Sequence, residues 1–343
     1  MHINVIFLIL GPMQHVKYKL YISIYMDIYI NNLRNKLKNN YKNINFKFIK
    51  LKNKPKIESG FISSIILNKI KKFNKIIKID LPKIEVKVLY KKKIPMISIQ
   101  KIINRFYCML SFLDSNNINY NKSKFKLLFI PTNAKKILPK KGNILDYHHV
   151  NSGSSYIYKN DIMIWRQEEC EKVFLHELFH CLGFDRFAIE NYNIPEFKII
   201  NSKNYNEGYN ELCTCIYNCC FQSLEDNKDV LELFKMNKLH SLFQMKQVLQ
   251  HNNFNSIFEI KDKIFPQNAS VFSYYILKGM YLYNINKIIN SMSNIYLYPI
   301  NNHKKQMINI NNYLLHDYKL NNIIKFVIKE NKYKSNYTMK MTI

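Results

Sequence analysis

One stretch, Val173 to Gly183, limits what this chain can become more than any other, because it sets the sequence His-Glu-x-x-His inside an apolar run. The spacing predicts an α-helix on which His176 and His180 lie one turn apart on the same face. Two imidazoles at that spacing can hold one Zn²⁺, and Glu177 between them can reach a water molecule at the metal. Gly183 is suited to end the helix as a C-terminal cap.

A third ligand is required, because zinc hydrolases keep three protein ligands and leave the fourth position to solvent. A His or Asp three residues after Gly183 would give the metzincin arrangement, but that position is Arg186, a cation that does not bind metals. Asp185 stands one residue too early and is interpreted as a turn residue. Without a third ligand, the motif would describe only a buried helix with two core histidines.

The segment from Tyr205 to Leu212 supplies a candidate, since Glu207 and Glu211 lie one helical turn apart within Tyr-Asn-Glu-Gly-Tyr-Asn-Glu-Leu. An Asn-Glu-Gly-aromatic segment downstream of His-Glu-x-x-His resembles the gluzincin zinc metallopeptidases. The resemblance implies that Glu207 is the third zinc ligand and that Glu211 orients His176 or His180. The alternative for these two glutamates is a solvated helix face.

The flanking sequence extends the resemblance, over roughly residues 125 to 280, to uncharacterised metallopeptidase-like proteins of large DNA viruses. In zinc peptidases the strand before the metal-binding helix often edges the cleft and pairs with an extended peptide. That resemblance assigns Ile162, Ile164 and Trp165 to substrate binding; the alternative is an ordinary strand of a sheet.

A group that stabilises the oxyanion is expected on a helix near the metal. The apolar, aromatic helix predicted over 269–282 carries Tyr274 and Tyr275, and Tyr275 is the predicted catalytic donor, because the corresponding helix in the resembled enzymes often packs over the metal. His240 and His251, on a helix predicted over 229–251, are alternatives, although a single histidine on a helix is usually structural.

Residue patterns elsewhere predict strands over 84–90, 125–130 and 161–166 and a helix over 97–113. The predicted fold class is α+β, zincin-like, with a small sheet-containing N-terminal lobe, a mostly helical C-terminal lobe and the metal-binding helix between them. Three regions are expected: a basic Lys/Asn-rich segment, 1–57; a metallopeptidase domain, 58–283; and a Lys/Asn/Ile-rich extension, 284–343. Within the first region, residues 31–56 are expected to form either a peripheral helix and strand or a poorly ordered stretch.

The formal net charge of +28 would ordinarily indicate a nucleic-acid or anionic-surface partner. Lysine is instead spread among asparagine and isoleucine, the usage of an A+T-rich genome, and no nucleic-acid-binding module is recognised. The expected partner is a protein or peptide substrate, with nonspecific polyanion contact only at low salt.

Four of the seven cysteines crowd between Cys213 and Cys220, which favours small buried thiols over a disulfide framework or a second metal site. Reduced thiols indicate the cytoplasm, meaning the host cytoplasm or the virion for a viral protein. The apolar run Ile3 to Leu10 leaves secretion open and is too short to span a membrane.

The favoured function is therefore a zinc-dependent endopeptidase with one Zn²⁺, in which Glu177 is the general base for water attacking the scissile carbonyl. Two alternatives stay open: a zinc-bearing but catalytically inactive protein-binding module, and a basic polyanion-binding protein in which the motif is fortuitous.

Overall fold

A computed structural model describes residues 14–57, 60–156, 159–185, 197–199, 205–291, 297 and 338–341, with side chains from residue 26 in the first range and from residue 206 in the fifth. Its strands are β1 (Ile49–Leu51), β2 (Lys75–Asp80), β3 (Ile84–Tyr90), β4 (Phe125–Thr132), β5 (Leu145–Asp146), β6 (Gly153–Tyr156), β7 (Asp161–Arg166) and β8 (Gln267–Asn268). Its α-helices are α1 (Gln14–Asn40), α2 (Ser64–Lys71), α3 (Met96–Ser115), α4 (Tyr147–Val150), α5 (Cys170–Leu182), α6 (Tyr205–Asp226), α7 (Val230–His251), α8 (Lys278–Tyr283) and α9 (Ile285–Ser291). A 3₁₀ turn covers Ile257–Lys261, and a π-helical segment, Phe272–Leu277, leads directly into α8.

Six strands form one sheet in the order β1-β2-β3-β4-β7-β6, and β5 pairs separately with β8. The central strands β3, β4 and β7 run parallel, whereas β1, β2 and β6 are antiparallel to their neighbours. Successive strand residues point to opposite faces, and both faces are covered. On one face Phe106 of α3 packs edge-on against Phe125 and Phe174, and on the other α2 packs on a cluster that includes Trp165.

The helical part of the molecule is built around α6, whose residues 208 to 221 are all buried. Helices α1, α5, α7 and α8 and the π-helical segment pack around it. Gly208 allows α6 to approach the π-helical segment closely. A Cβ atom at this position would lie 2.9 Å from Leu277 Cβ and 3.2 Å from the Ser273 carbonyl oxygen. The glycine of the Asn-Glu-Gly segment therefore lets α6 lie directly against the π-helical segment.

Most sequence-based predictions of elements are confirmed. The strands expected at 84–90, 125–130 and 161–166 are β3, β4 and β7, and the helices expected at 97–113 and 229–251 are α3 and α7. The helix expected over 269–282 differs, because it consists of the π-helical segment followed by α8. The described part of the chain is mixed α and β, with a sheet and packed helices, and is compatible with the α+β class.

The described part of residues 1–57 forms a helix and a strand, which is one of the two alternatives expected for residues 31–56. Helix α1 packs on α3 and α6, burying Ile30, Leu33 and Leu37, and β1 extends the sheet through β2. Parts of the predicted C-terminal extension, namely α9, Leu297 and residues 338–341, also contact the core, while 1–13 and most of 298–343 lie outside the described residues. Among the helices that the structure describes, none combines the length and apolar character needed to cross a bilayer.

Candidate metal centre

Helix α5 is the platform of the site. It is buried at every position except Glu171, and this burial follows from its apolar residues on all sides. Gly183 ends it in the left-handed region at φ 84°, with its N–H donating to the carbonyls of Phe179 and His180. The predicted cap is thus confirmed, and the turn that it makes carries Asp185 back toward the last helical turn.

Two buried imidazoles of α5 meet one partly buried carboxylate of α6. His176 Nε2 and His180 Nε2 are 3.1 Å apart, and Glu207 Oε2 lies 3.2 Å from the first and 3.3 Å from the second. Helices α5 and α6 thus bring together two histidines and a glutamate separated by 27 or more positions of sequence. In the described residues this is the one group of metal-ligating side chains close enough to share an ion.

The three ligand atoms fit a small divalent metal ion. Zn²⁺ binds such atoms at about 2.0–2.1 Å, and the edge of a tetrahedron with that radius is about 3.3 Å. The observed separations of 3.1, 3.2 and 3.3 Å match three corners of that tetrahedron. The cluster can therefore hold one metal ion without rearrangement and leaves a fourth corner for solvent or substrate.

Carboxylates fix both imidazoles from the side opposite the centre. His180 Nδ1 lies 2.6 Å from Asp185 Oδ2, and His176 Nδ1 lies 2.9 Å from Glu211 Oε1. The contact of His180 with Asp185 is a hydrogen bond, whereas that of His176 with Glu211 has ion-pair distance without hydrogen-bond geometry. An imidazole whose Nδ1–H faces a carboxylate presents the lone pair of Nε2 to a metal. The expected orienting role of Glu211 matches its position beside His176, whereas the role of Asp185, interpreted from sequence as a turn residue, was missed.

The charges of the centre call for a cation. Burial alone would raise the pKa of Glu207, but His180 and His176 outweigh burial and hold that pKa well below its usual range. Burial lowers and the carboxylates of Glu207 and Asp185 raise the pKa of His180, and the carboxylates prevail. The carboxylates that favour a proton on His180 would equally favour a metal cation held by its neutral ring.

For a metal ion held by this cluster, with zinc as the probe, replacement of Asp185 by alanine should weaken binding roughly 10- to 100-fold, because the ring of His180 loses the partner that fixes its tautomer and orientation. The affinity is measured by competition with a chelator of known zinc affinity. Asp262→Ala, at an exposed aspartate, is the matched control and should bind zinc as the wild type does. Equal affinities for both variants would show that Asp185 does not act on the centre.

Glu177 lies on the same helix turn and lines the same pocket as His176. Burial raises the pKa of Glu177, and the nearby imidazoles offset part of that rise; a raised pKa suits a group that accepts and then returns a proton near neutral pH. Strand β6 covers this carboxylate closely, since a Cβ atom at Gly153 would lie 2.9 Å from Glu177 Oε1. Gly153 is thus required for β6 to run over the site.

Of the two predicted tyrosines, Tyr274 is the one at the centre. Its ring is 6.0 Å from that of His176, and it lines the pocket that contains Glu177. Tyr275, the predicted catalytic donor, points elsewhere: it is fully buried and donates its hydroxyl hydrogen to the Met339 carbonyl oxygen at 2.8 Å. A π-helical segment shifts the faces of a helix by one residue, which helical spacing could not reveal.

The substrate-binding role assigned to Ile162, Ile164 and Trp165 is corrected by the topology. Their strand, β7, lies between β4 and β6 with both edges paired, and all three side chains are buried in the sheet. The outer strand next to the metal-binding helix is β6 instead. Its sequence, Gly-Ser-Ser-Tyr, lacks the apolar alternation by which strands are recognised.

The remaining candidates serve other contacts. His240 Nε2 lies 2.9 Å from the Lys340 carbonyl oxygen and His251 Nε2 lies 2.7 Å from that of Asn143, so neither faces the metal ligands. All seven cysteines are buried and none forms a disulfide, as the sequence predicts for small buried thiols.

A buried ion network adjoins the centre. Lys172 Nζ contacts both oxygens of Glu211, and Lys278 Nζ donates to the Met341 carbonyl oxygen at 3.1 Å. Burial lowers the pKa of Lys278 from 10.5 to about 8, although the Glu211 carboxylate opposes this shift. Lys278 therefore binds its proton less tightly in the folded chain than in the unfolded chain.

The stability of the wild type relative to Lys278→Met should rise with pH. Between the folded pKa of about 8 and the unfolded value of 10.5, the unfolded state holds more of the proton, so the free energy of unfolding increases with pH by up to roughly 3 kcal/mol across that window. Denaturant unfolding of both proteins at pH 7.5 and 10.5 measures the difference between their free energies of unfolding. The contributions of titrating groups that both proteins share cancel in that difference. A difference that is constant with pH would contradict the assignment.

Comparison with models of known protein families, with curated proteins and with solved structures finds no match for this chain.

Proposed function

We propose that this protein is a zinc-dependent endopeptidase of the gluzincin type with a zincin-like fold. The observation that carries the proposal is the triangle of His176 Nε2, His180 Nε2 and Glu207 Oε2 with edges of 3.1 to 3.3 Å, beside a buried glutamate that is not part of it. The fourth corner and that glutamate are the two features that a hydrolytic zinc site has and a purely structural one lacks.

Different residues would have different roles in peptide hydrolysis. His176, His180 and Glu207 would hold the metal, and Asp185 and Glu211 orient the two imidazoles. Bound Zn²⁺ would polarise the scissile carbonyl and lower the pKa of water at the site.

Glu177 accepts a proton from the attacking water and returns it to the leaving amine nitrogen, a transfer that its raised pKa favours. Tyr274 lines the pocket with His176 and Glu177, and burial raises its pKa well above the ordinary value. Its hydroxyl therefore keeps its hydrogen and donates it to the oxyanion.

Strand β6 is the surface that supports an extended peptide substrate. Within the described residues it has a sheet neighbour on one side only, and at Gly153 it passes so close to Glu177 that an added Cβ atom would lie 2.9 Å from Oε1. A peptide that pairs with the outer edge of β6 would be held by main-chain hydrogen bonds with its scissile bond near the metal.

A reducing compartment fits this enzyme, because none of its seven buried cysteines forms a disulfide. With the resemblance of its flanks to proteins of large DNA viruses, the proposed location is the host cytoplasm or the virion.

Cleavage of a peptide library by the purified chain tests the proposal. Zinc-loaded protein should cleave internal peptide bonds, a chelator should abolish the cleavage, and added zinc should restore it. Bound zinc without cleavage of any library member would instead favour the catalytically inactive binding module, and salt-sensitive nucleic-acid binding without zinc would favour the polyanion-binding protein.

A further inference from the structure

Residues Thr338–Met341, which we term the C-terminal segment, are packed beside the metal centre. Thr338 forms a β-bridge with Ile137, and the Met339 N–H donates to the Lys136 carbonyl oxygen at 3.0 Å. Met339 and Met341 are buried at 0% and 3% exposure. The segment is thus inserted between elements distant in sequence rather than laid on the surface.

Three consecutive carbonyl groups of the C-terminal segment are held by side chains. Tyr275 donates to Met339 O at 2.8 Å, the His240 ring nitrogen lies 2.9 Å from Lys340 O, and Lys278 donates to Met341 O at 3.1 Å. The side-chain amide of Gln244 also donates to Lys340 O. Main-chain recognition of this kind holds an extended peptide largely without regard to its sequence.

The end of the segment lines the pocket that contains Glu177, and it is also linked through two side chains to the Nδ1 side of His176, the side away from the ligand triangle. Met341 lines that pocket together with His176 and Glu177. Its sulfur lies 3.4 Å from Lys172 Nζ, which also contacts Glu211. Glu211 in turn lies 2.9 Å from His176 Nδ1, so only two side chains separate Met341 from a metal ligand.

The buried side chains that bind the segment require hydrogen-bond acceptors. Lys278 and Tyr275 are both 0% exposed, and a buried ammonium or hydroxyl group is destabilising unless it is hydrogen-bonded. Carbonyl groups of residues 339 and 341 meet that need in this conformation. Carbonyl groups of another extended peptide would meet it equally well.

We propose that the C-terminal segment is an autoinhibitory occupant of a peptide-binding groove that leads to the metal centre, and that a peptide substrate must displace it. The proposal rests on the peptidase function proposed above. An intramolecular occupant competes at an effective concentration in the millimolar range, so release of the segment should raise kcat/KM for peptide substrates about tenfold or more.

The first experiment weakens the segment's contacts within the full chain. His240→Ala combined with Gln244→Ala removes two donors to Lys340 and leaves the metal ligands intact, so zinc binding should be retained and kcat/KM should rise. His251→Ala is the matched control, because this histidine lies on the same helix and bonds the Asn143 carbonyl; it should not activate. A double variant that is no more active than His251→Ala would overturn the proposal.

The second experiment measures occupancy of the groove without catalysis. A chain ending at Tyr337 is loaded with zinc and titrated with a fluorescent decapeptide of sequence Lys-Ser-Asn-Tyr-Thr-Met-Lys-Met-Thr-Ile, which is that of residues 334–343, and with a scrambled version. Saturable binding of the first peptide alone supports the groove, and its absence overturns it. Because this binding requires no turnover, it distinguishes failure of the groove from failure of the peptidase.

A third experiment uses the intact protein and is needed if the shortened chain does not fold. Hydrogen exchange at the Met339 amide, which is bonded to Lys136 O, is followed in the intact protein on addition of excess unlabelled decapeptide. Accelerated exchange shows displacement of the segment and supports the proposal. Unchanged exchange at saturating peptide contradicts it.

Discussion

Glu177→Gln should abolish most of the peptidase activity while leaving zinc bound. Glutamine nearly matches glutamate in shape but does not accept the proton of the attacking water, and general acid–base catalysis contributes about 10²–10⁴-fold to such reactions. A loss of that size in kcat is expected, with zinc content unchanged because Glu177 is not one of the three clustered ligands. Both quantities are measured on one preparation, by peptide cleavage and elemental analysis.

Glu171→Gln is the control for that experiment. It makes the same chemical change on the same helix, α5, at its one position that is not buried, and it should retain activity. If zinc-loaded Glu177→Gln cleaved peptides as fast as the wild type, the assignment of Glu177 as the general base would be wrong.

His180→Ala should lose zinc. It removes one of three ligands and leaves the Glu207 carboxylate and Asp185 near an empty position, so the loss of affinity should exceed the roughly 10- to 100-fold effect of losing an orienting partner. Chelator competition measures the affinity. The control is His251→Ala. It removes an equally buried imidazole whose hydrogen-bond partner is the Asn143 carbonyl oxygen and not a residue of the metal centre.

Retention of stoichiometric zinc by His180→Ala would place the zinc elsewhere in the molecule. The cluster of cysteines on α6 between Cys213 and Cys220 would then be the site to examine.

The ligand triangle was predictable because helical periodicity fixes relative positions. His176 and His180 at i and i+4 must share a face, and the pairing of α6 with α5 was implied by a motif rather than by spacing. Glu211, one turn after Glu207, follows the same rule and does contact His176. The elements that surround the site were also predictable where apolar patterns were strong, as in β3, β7 and α7.

Features that depend on irregular backbone could not be derived from periodicity. Asp185 reaches His180 only because Gly183 turns the chain through a left-handed conformation. Tyr274 rather than Tyr275 faces the centre, and the sequence offered no physical basis for choosing between two adjacent tyrosines in this π-helical segment. The polar strand β6 and the C-terminal segment carry no recognisable pattern, since tertiary contacts rather than local preference hold them in place.

Zinc K-edge X-ray absorption of the wild-type protein tests the central claim most directly, because it reports the atoms bound to the ion. A centre built from His176, His180 and Glu207 should give one zinc per chain with two imidazole nitrogens and carboxylate or solvent oxygen at about 2.0–2.2 Å and no sulfur. Sulfur scatterers at about 2.3 Å would assign the metal to cysteine, and protein that takes up no zinc would remove the metal centre altogether; either result would contradict the central claim.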